Sequence, residues 1–405
     1  MKKILHDIHL WLSVPFGIFI TLICFSGSML VFEKELTAWC RPELFQVTQV
    51  KEAPLPLDSL MQTVAATLPD SVTITGVTIT PDAKATYQVS LSQPRRASIY
   101  VDPYTGEVKG RSERLPFFDT MFHLHRWLLG ASQSADGGMS LGKLVVGCST
   151  LALVLILLTG ILMWLTNRHK PLVKSLTISF NKGWLRFWHD LHVAGGIYAT
   201  LFLLALALTG LTWSFSWYRT GFYRLFGVEQ TAEGGRGAHG QTAERSTRSE
   251  RGGHGERGGR REGQHEGHRE GWHRRSPYAH WQEVYDQLAQ SNPGYRQITL
   301  SAGSAGVVPK GRTSLRATDT YSFNPRNGEI TESKTYAESA DRATKVRSGV
   351  YTVHTGSWGG LLTRLLTFLS ALLGATLPLT GYYLWIRRLV VKGRHPKKQG
   401  VIMSA

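Results

Sequence analysis

Cysteine is scarce: 405 residues hold only Cys24, Cys40 and Cys148. Two of them fall inside apolar runs and Cys40 just outside one, so neither a disulfide framework nor a cysteine metal site is encoded. Nucleotide fingerprints are missing as well. No glycine-rich stretch sits between a strand and a helix, which excludes a flavin or nicotinamide fold. No Glu lies inside a His-x-x-x-His pair, so the zinc-protease reading fails. Helical carboxylates for a di-metal bundle are also lacking. The formal charge of +17 comes without any nucleic-acid motif, so no nucleic-acid partner is expected.

Long apolar runs are what the chain does have. Residues 10–32, 141–166, 193–217 and 361–386 are mostly apolar and free of ionised residues at their centres. Each holds about 20 residues or more, enough to span a hydrocarbon core of about 30 Å. Basic residues flank them unevenly. Lys2 and Lys3 precede the first run, and Arg168, Lys170, Lys174, Lys182 and Arg186 separate the second from the third. Arg387, Arg388, Lys392, Arg394, Lys397 and Lys398 follow the fourth. The positive-inside rule places these three segments in the cytoplasm. A multi-pass membrane protein, with both termini cytoplasmic and its surface in membrane lipid, is expected. The Met-Lys-Lys start resembles a signal peptide, but the run is too long and Phe32-Glu33-Lys34-Glu35 is no cleavage site. It reads as an uncleaved anchor.

The pattern occurs twice. Residues 99–108 and 321–330 each read as strand, Pro/Gly turn and strand. Residues 57–68 and 281–288 read as short amphipathic helices, and 72–80 and 86–91 alternate like half-buried strands. The fold class is thus membrane α + β: a four-transmembrane-helix bundle with two extracytoplasmic α+β modules, made by internal duplication. The expected organisation is helix 1 (1–33), module 1 (34–120), and an interfacial helix with helix 2 (121–168). A cytoplasmic loop (169–188), helix 3 (189–218) and module 2 (219–350) come next, then helix 4 (351–388) and a cytoplasmic tail (389–405). Within module 2, residues 234–280 are rich in Gly, Arg, Glu and His and cannot bury a core. Their histidines (His239, His254, His265, His268, His273, His280) either capture metal ions or belong to a solvated linker of mixed charge.

Histidines mark the ends of the apolar runs. His6 and His9 open the first, His189 and His192 the third. His123 and His125 precede the second, and His354 precedes the fourth. Imidazole suits haem iron gripped from both sides. His9 precedes Gly27, and His192 precedes Gly210, by the same eighteen residues, a helical rise of about 27 Å. The two returning helices carry Thr159-Gly160 and Thr380-Gly381 near their other ends. Each membrane face would therefore collect two histidines from one helix pair and two glycines from the other. Glycine lets a bulky planar group approach the backbone, so Gly27, Gly210, Gly160 and Gly381 are read as haem slots. Small-residue helix packing is the competing account.

Two histidines on one face of one helix cannot grip an iron from opposite sides. The expected pairs are therefore His9 with His192 at the inner face and His125 with His354 at the outer. His6, His189 and His123 are the alternates. Asp7 and Asp190 either orient imidazoles or favour helix N-termini. Arg126 meets either a haem propionate or a lipid headgroup. Two b haems are the expected cofactors.

The segments Leu5–Leu12, Leu124–Gly130, Leu191-His192 and Val353–Gly360 resemble the PepSY-associated transmembrane family. The Asp102-Pro-Tyr-Thr-Gly-Glu107 turn is similar to that of the PepSY module. Within the family, the chain is similar to inner-membrane ferric-siderophore reductases of the ferrioxamine type. The resemblance implies haem ligands among His9, His125, His192 and His354, and iron reduction at the periplasmic side. The 234–280 insert departs from the module pattern, and Asn324-Pro-Arg-Asn-Gly328 lacks the Asp of the first turn.

The expected function is dihaem b-type transmembrane electron transfer. A cytoplasmic or quinol donor would supply electrons to a ferric siderophore, suspected to be a hydroxamate. Reduction to Fe(II) weakens binding by hard oxygen ligands and releases the metal for uptake. Two rivals remain: a haem-free membrane protein whose modules bind or restrain a periplasmic partner, and a cytochrome subunit feeding another reductase.

Overall fold

The computed structural model describes residues 2–94, 97–131, 138–166, 172–229 and 277–393. The first half runs α1 (Lys2–Leu30), α2 (Glu33–Cys40), α3 (Pro42–Phe45), α4 (Leu57–Ala66), β1 (Ile74–Ile79), β2 (Tyr87–Leu91), β3 (Ser98–Val101), β4 (Val108–Arg111), α5 (Pro116–Trp127) and α6 (Leu141–Thr166). The second half opens with α7 (Trp184–Asp190), a π-helical turn (Leu191–Gly195), α8 (Gly196–Ser214), α9 (Ser216–Leu225) and α10 (Trp281–Ser291). It ends with β5 (Gln297–Ser301), β6 (Ser304–Val308), β7 (Asp319–Phe323), β8 (Ile330–Lys334), α11 (Tyr336–Ser339), α12 (Arg342–His354) and α13 (Gly360–Gly393).

Four helical segments among the described residues are long and apolar enough to cross a membrane: Lys2–Leu30, Leu141–Thr166, Trp184–Ser214 and Ser357–Val391. Large apolar side chains such as Leu155, Leu162, Leu201, Leu362 and Leu369 point outward, as a lipid-facing surface requires. Inside, Ile20, Cys24, Leu157, Ala199, Leu203 and Ala375 interlock. Gly374 is needed there, because a Cβ would stand 2.7 Å from Leu203 Cδ2 and 3.2 Å from Cys24 Sγ.

Helix 1 begins at Lys2, inside the expected 1–33 span, and takes in His6 and His9. Two other expected boundaries differ. Helix 3 begins at Trp184, not 189, because the aromatic and basic Trp184–Asp190 segment is helical before the apolar run starts. Helix 4 does not include 351–354: α12 stops at His354, and Gly356 (φ 70°) and Gly360 (φ 73°) turn the chain into a new helix. A Cβ on Gly356 would strike Thr367, so the turn is confined to glycine.

The two segments between the apolar helices share one eight-stranded antiparallel sheet, in the order β4-β3-β2-β1-β5-β6-β7-β8. The central seam is β1 against β5, where Val77 faces Leu300 and Thr78 faces Thr299. Pairing β1 with β5 removes two edge strands that separate modules would expose. The helices α4 and α10 cover one face with Leu57, Leu60, Met61, Val64, Trp281, Val284 and Leu288. They cap each other: Leu57 N donates to Gln282 Oε1 (2.9 Å), and Gln282 N to Asp58 Oδ1 (3.2 Å). Trp281 is 2% exposed. Trp281→Ala should cost the sheet about 3–5 kcal/mol, read as a lower denaturation midpoint and faster proteolysis.

Both Pro/Gly turns close alike. Tyr104 N donates to Asp102 Oδ1 (2.9 Å), and Arg326 N donates to Asn324 Oδ1 (3.0 Å). Asn replaces Asp without losing the turn, because either side chain accepts that bond. Of the expected 234–280 linker, residues up to 276 lie outside the described residues, as do His239, His254, His265, His268 and His273. Residues 277–280 form a turn, with Tyr278 buried against Trp281 and His280 Nδ1 2.9 Å from Glu283 Oε2. The tail beyond Gly393 is also outside the described residues, and α13 itself runs five residues past the expected end at 388.

Candidate functional site: two imidazole pairs

The bundle brings histidines together in twos. His9 (α1) and His192 (the π turn) have ring centroids 6.4 Å apart with planes at 85°. His125 (α5) and His354 (α12) have centroids 6.1 Å apart with planes at 50°. A metal–imidazole bond of about 2 Å on each side, plus about 1.2 Å from nitrogen to ring centre, would separate two axial imidazole centroids by about 6.4 Å. Both pairs match the spacing of two imidazoles that share one metal ion.

The four rings are anchored in the same way. His9 Nδ1 lies 3.1 Å from the Ile156 carbonyl oxygen and His125 Nδ1 2.8 Å from that of Ile23. His192 Nδ1 is 3.1 Å from the Leu377 oxygen, and His354 Nδ1 is 3.0 Å from the Leu206 oxygen. A carbonyl oxygen only accepts, so each Nδ1 carries the proton and donates it. That leaves Nε2 with a lone pair on every ring, the state a metal ligand needs. Thr159, Thr380 and Thr209 hydroxyls add second contacts of 3.1, 2.9 and 3.0 Å to His9, His192 and His354. The fourth ring, His125, has only the Ile23 carbonyl at Nδ1 among the described residues.

In each case the accepting carbonyl lies four residues before a glycine. Over those glycines stand the imidazoles themselves. A Cβ on Gly27 would lie 2.7 Å from His125 Cε1, on Gly210 3.1 Å from His354 Cε1, on Gly381 3.4 Å from His192 Cε1, and on Gly160 3.5 Å from His9 Cε1. Gly27, Gly210, Gly160 and Gly381, read as haem slots, each lie against the ring of a histidine from a neighbouring element.

His125 and His354 lie beyond the membrane-spanning segments. Burial, and then the neighbouring His125, push the His354 pKa down to about 3, and burial lowers that of His125. Both are neutral at pH 7. The helix that carries His354 is held at its other end by Asp341, whose Oδ1 accepts from Thr344 N at 2.7 Å. That bond lowers the Asp341 pKa, so its contribution is complete above the ordinary carboxylate range and fades as pH falls through the depressed value. Asp341→Ala should cost about 1 kcal/mol at pH 7 and less in acid, measured as thermal stability against pH.

The alternates lie elsewhere. His6 meets Arg388 (3.2 Å) and Asp7 (3.5 Å), and His189 meets Asp190 (3.4 Å). His123 sits 3.8 Å from Asp119 and packs on Trp127. Their side chains are all close to half exposed. Asp190 is fixed by Arg186 (2.9 Å) and by Ser179 N (3.3 Å), so it braces the entry to helix 3 and orients no member of the pairs. Arg126 stacks on Phe122 and Trp127, with centroid distances of 5.4 and 5.0 Å. The π turn around His192 and the Trp213 ring 5.0 Å from His354 were not legible in the spacing of histidines.

Among the described residues no three His, Cys, Asp or Glu side chains gather as a metal cage. Two imidazoles alone would leave the other positions of a metal ion to be filled by a further ligand set. A cavity of about 200 Å³ between the two halves of the sheet is lined by Tyr87, Tyr104, Tyr285 and Tyr295. It is smaller than pockets that enclose drug-sized ligands, about 300–1,000 Å³.

No curated protein matches this sequence. A sequence model of the PepSY-associated TM region matches residues 6–388, a stretch that takes in both imidazole pairs and all four apolar segments. The chain belongs to the PepSY-associated transmembrane family.

Proposed function

We propose that this protein carries electrons across the bacterial inner membrane on two b haems and reduces siderophore-bound ferric iron on the sheet side, releasing Fe(II). The observation that carries the proposal is the double pair of imidazoles, each anchored through Nδ1 and spaced to share a metal. His9 and His192 would hold the cytoplasmic haem, and His125 and His354 the periplasmic one. Haem iron supplies reversible one-electron transfer at each end of the bundle.

The protein's own contributions follow from its contacts. Carbonyl and threonine acceptors on Nδ1 fix ring orientation and make Nε2 a stronger donor. Burial keeps the outer imidazoles neutral. Each ferric ion takes up one electron, drawn from a cytoplasmic reductant or a quinol. The basic flanks support a periplasmic sheet and cytoplasmic termini. Matching strand order and matching turns in the two halves support a duplicated, PepSY-like module.

Stopped-flow mixing of dithionite-reduced protein with a ferric trihydroxamate tests this. Rapid loss of the reduced b-type α band, with Fe(II) trapped by ferrozine, is expected. A reduced band that the chelate leaves unchanged would reject iron reduction and favour a cytochrome that feeds another reductase. A colourless preparation would reject haem altogether and favour a module that binds a protein partner.

A further inference from the structure

Arg126 stands at Coulombic range of the sheet-side imidazole pair, and Lys143 at that range of both Arg126 and Arg219, with no carboxylate among the described residues to answer them. Packing fixes their positions. Gly142 lies against the backbone of Trp127, so that a Cβ there would overlap the Trp127 carbonyl. This contact sets Lys143 beside Arg126. One turn further along α6, Gly147 abuts Ser214 and the Phe215 ring, which sets Arg219, one turn beyond Phe215, on the same side. Arg126 and Arg219 both act on Lys143 at Coulombic range, and Arg126 acts on His125 and His354 in the same way.

Arg219 Nε is sealed from solvent with no hydrogen-bond partner. None of the three has a carboxylate partner among the described residues. The nearby acids are engaged elsewhere: Asp119 with His123, Glu33 with Arg114, and Glu35 with Arg364. Asp136 lies outside the described residues. At the opposite pair Arg186 does have a carboxylate partner, Asp190. Gathering three partly buried cations is costly unless an anion joins them.

We infer that Arg126, Lys143 and Arg219 form a pocket for the two carboxylates of the haem held by His125 and His354. The inference rests on the haem reading above and assigns the cations that orient the macrocycle at this site. Carboxylates suit the site because guanidinium groups bind them by paired, charge-assisted hydrogen bonds. The same cations could hold a lipid phosphate, and the experiment separates the two sources.

The full-length protein is compared with Arg219→Gln, Lys143→Gln, Arg219→Lys and Asp136→Asn. Haem loss to apomyoglobin and the midpoint potential of each haem are measured. Loss of one charged hydrogen bond should speed release of the sheet-side haem about tenfold or more. Its midpoint potential should fall, because a lost cation relieves repulsion of the ferric state. The His9/His192 haem should be unchanged, which also reports intact folding, and Arg219→Lys should recover part of the potential. Unchanged release and potential in both glutamine variants, with less co-purifying phospholipid, would assign the cations to headgroups and overturn the inference. Asp136→Asn with effects as large as Arg219→Gln would overturn it too, because the chain would then neutralise its own cations. A wild-type protein without haem would defeat the haem reading itself, a different outcome from haem that is bound but indifferent to these substitutions.

Discussion

His9→Ala and His192→Ala should each remove one and the same haem, leaving about half of the total bound. On the proposed function each ring would supply one bond to the iron, and each sits on a different element, so loss of either partner would leave the haem held weakly. His125→Ala and His354→Ala should remove the other haem. Pyridine haemochrome quantification gives the amount, and a redox titration shows which component has gone. His6→Ala, His189→Ala and His123→Ala should keep both haems, because those rings face Arg388, Asp190 and Asp119. Equal loss of both haems in any single variant would contradict the pairing.

The second large effect concerns glycine. Gly27→Ala places a Cβ 2.7 Å from His125 Cε1 and 3.0 Å from Nδ1. The ring cannot swing away without breaking its 2.8 Å bond to Ile23 O. Overpacking of this kind costs about 1–3 kcal/mol, so binding of the sheet-side haem should weaken about tenfold or more. Gly210→Ala, at 3.1 Å from His354 Cε1, should act more mildly. At Gly381 and Gly160 the new Cβ would lie 3.4 and 3.5 Å from the rings, ordinary contact distances. Alanine should be tolerated there. Haem occupancy of the four purified variants checks the order, and equal losses at all four would show that ring contact does not govern it.

The apolar runs made the four helices legible, since about 20 uncharged apolar residues have few other stable forms. Repeated histidine and glycine spacing likewise pointed to which side chains could meet. The amphipathic patterns around Leu57 and Trp281 revealed α4 and α10. Other features left no local trace. The β1–β5 seam is a contact between residues more than two hundred positions apart, and either strand alone reads as an ordinary half-buried strand. The π turn at His192 has no compositional mark, and nothing in His-Asp-Leu-His distinguishes it from the regular helix at His-Asp-Ile-His. The glycines were noticed, but the imidazole that lies against each could not be assigned without the neighbouring element. Lys143 and Arg219 look like ordinary interfacial residues until the packing at Gly142 and Gly147 sets them beside Arg126.

Low-temperature electron paramagnetic resonance of the oxidised protein tests paired imidazole ligation most directly. Near-perpendicular imidazole planes leave the iron orbitals that share the unpaired electron almost equal in energy and give a highly anisotropic low-spin signal. Planes closer to parallel split those orbitals and give a more rhombic one. With planes 85° apart at His9/His192 and 50° apart at His125/His354, two low-spin ferric signals are expected. The more anisotropic signal should vanish in His9→Ala and His192→Ala, and the other in His125→Ala and His354→Ala. A protein that shows no low-spin ferric signal would contradict the account.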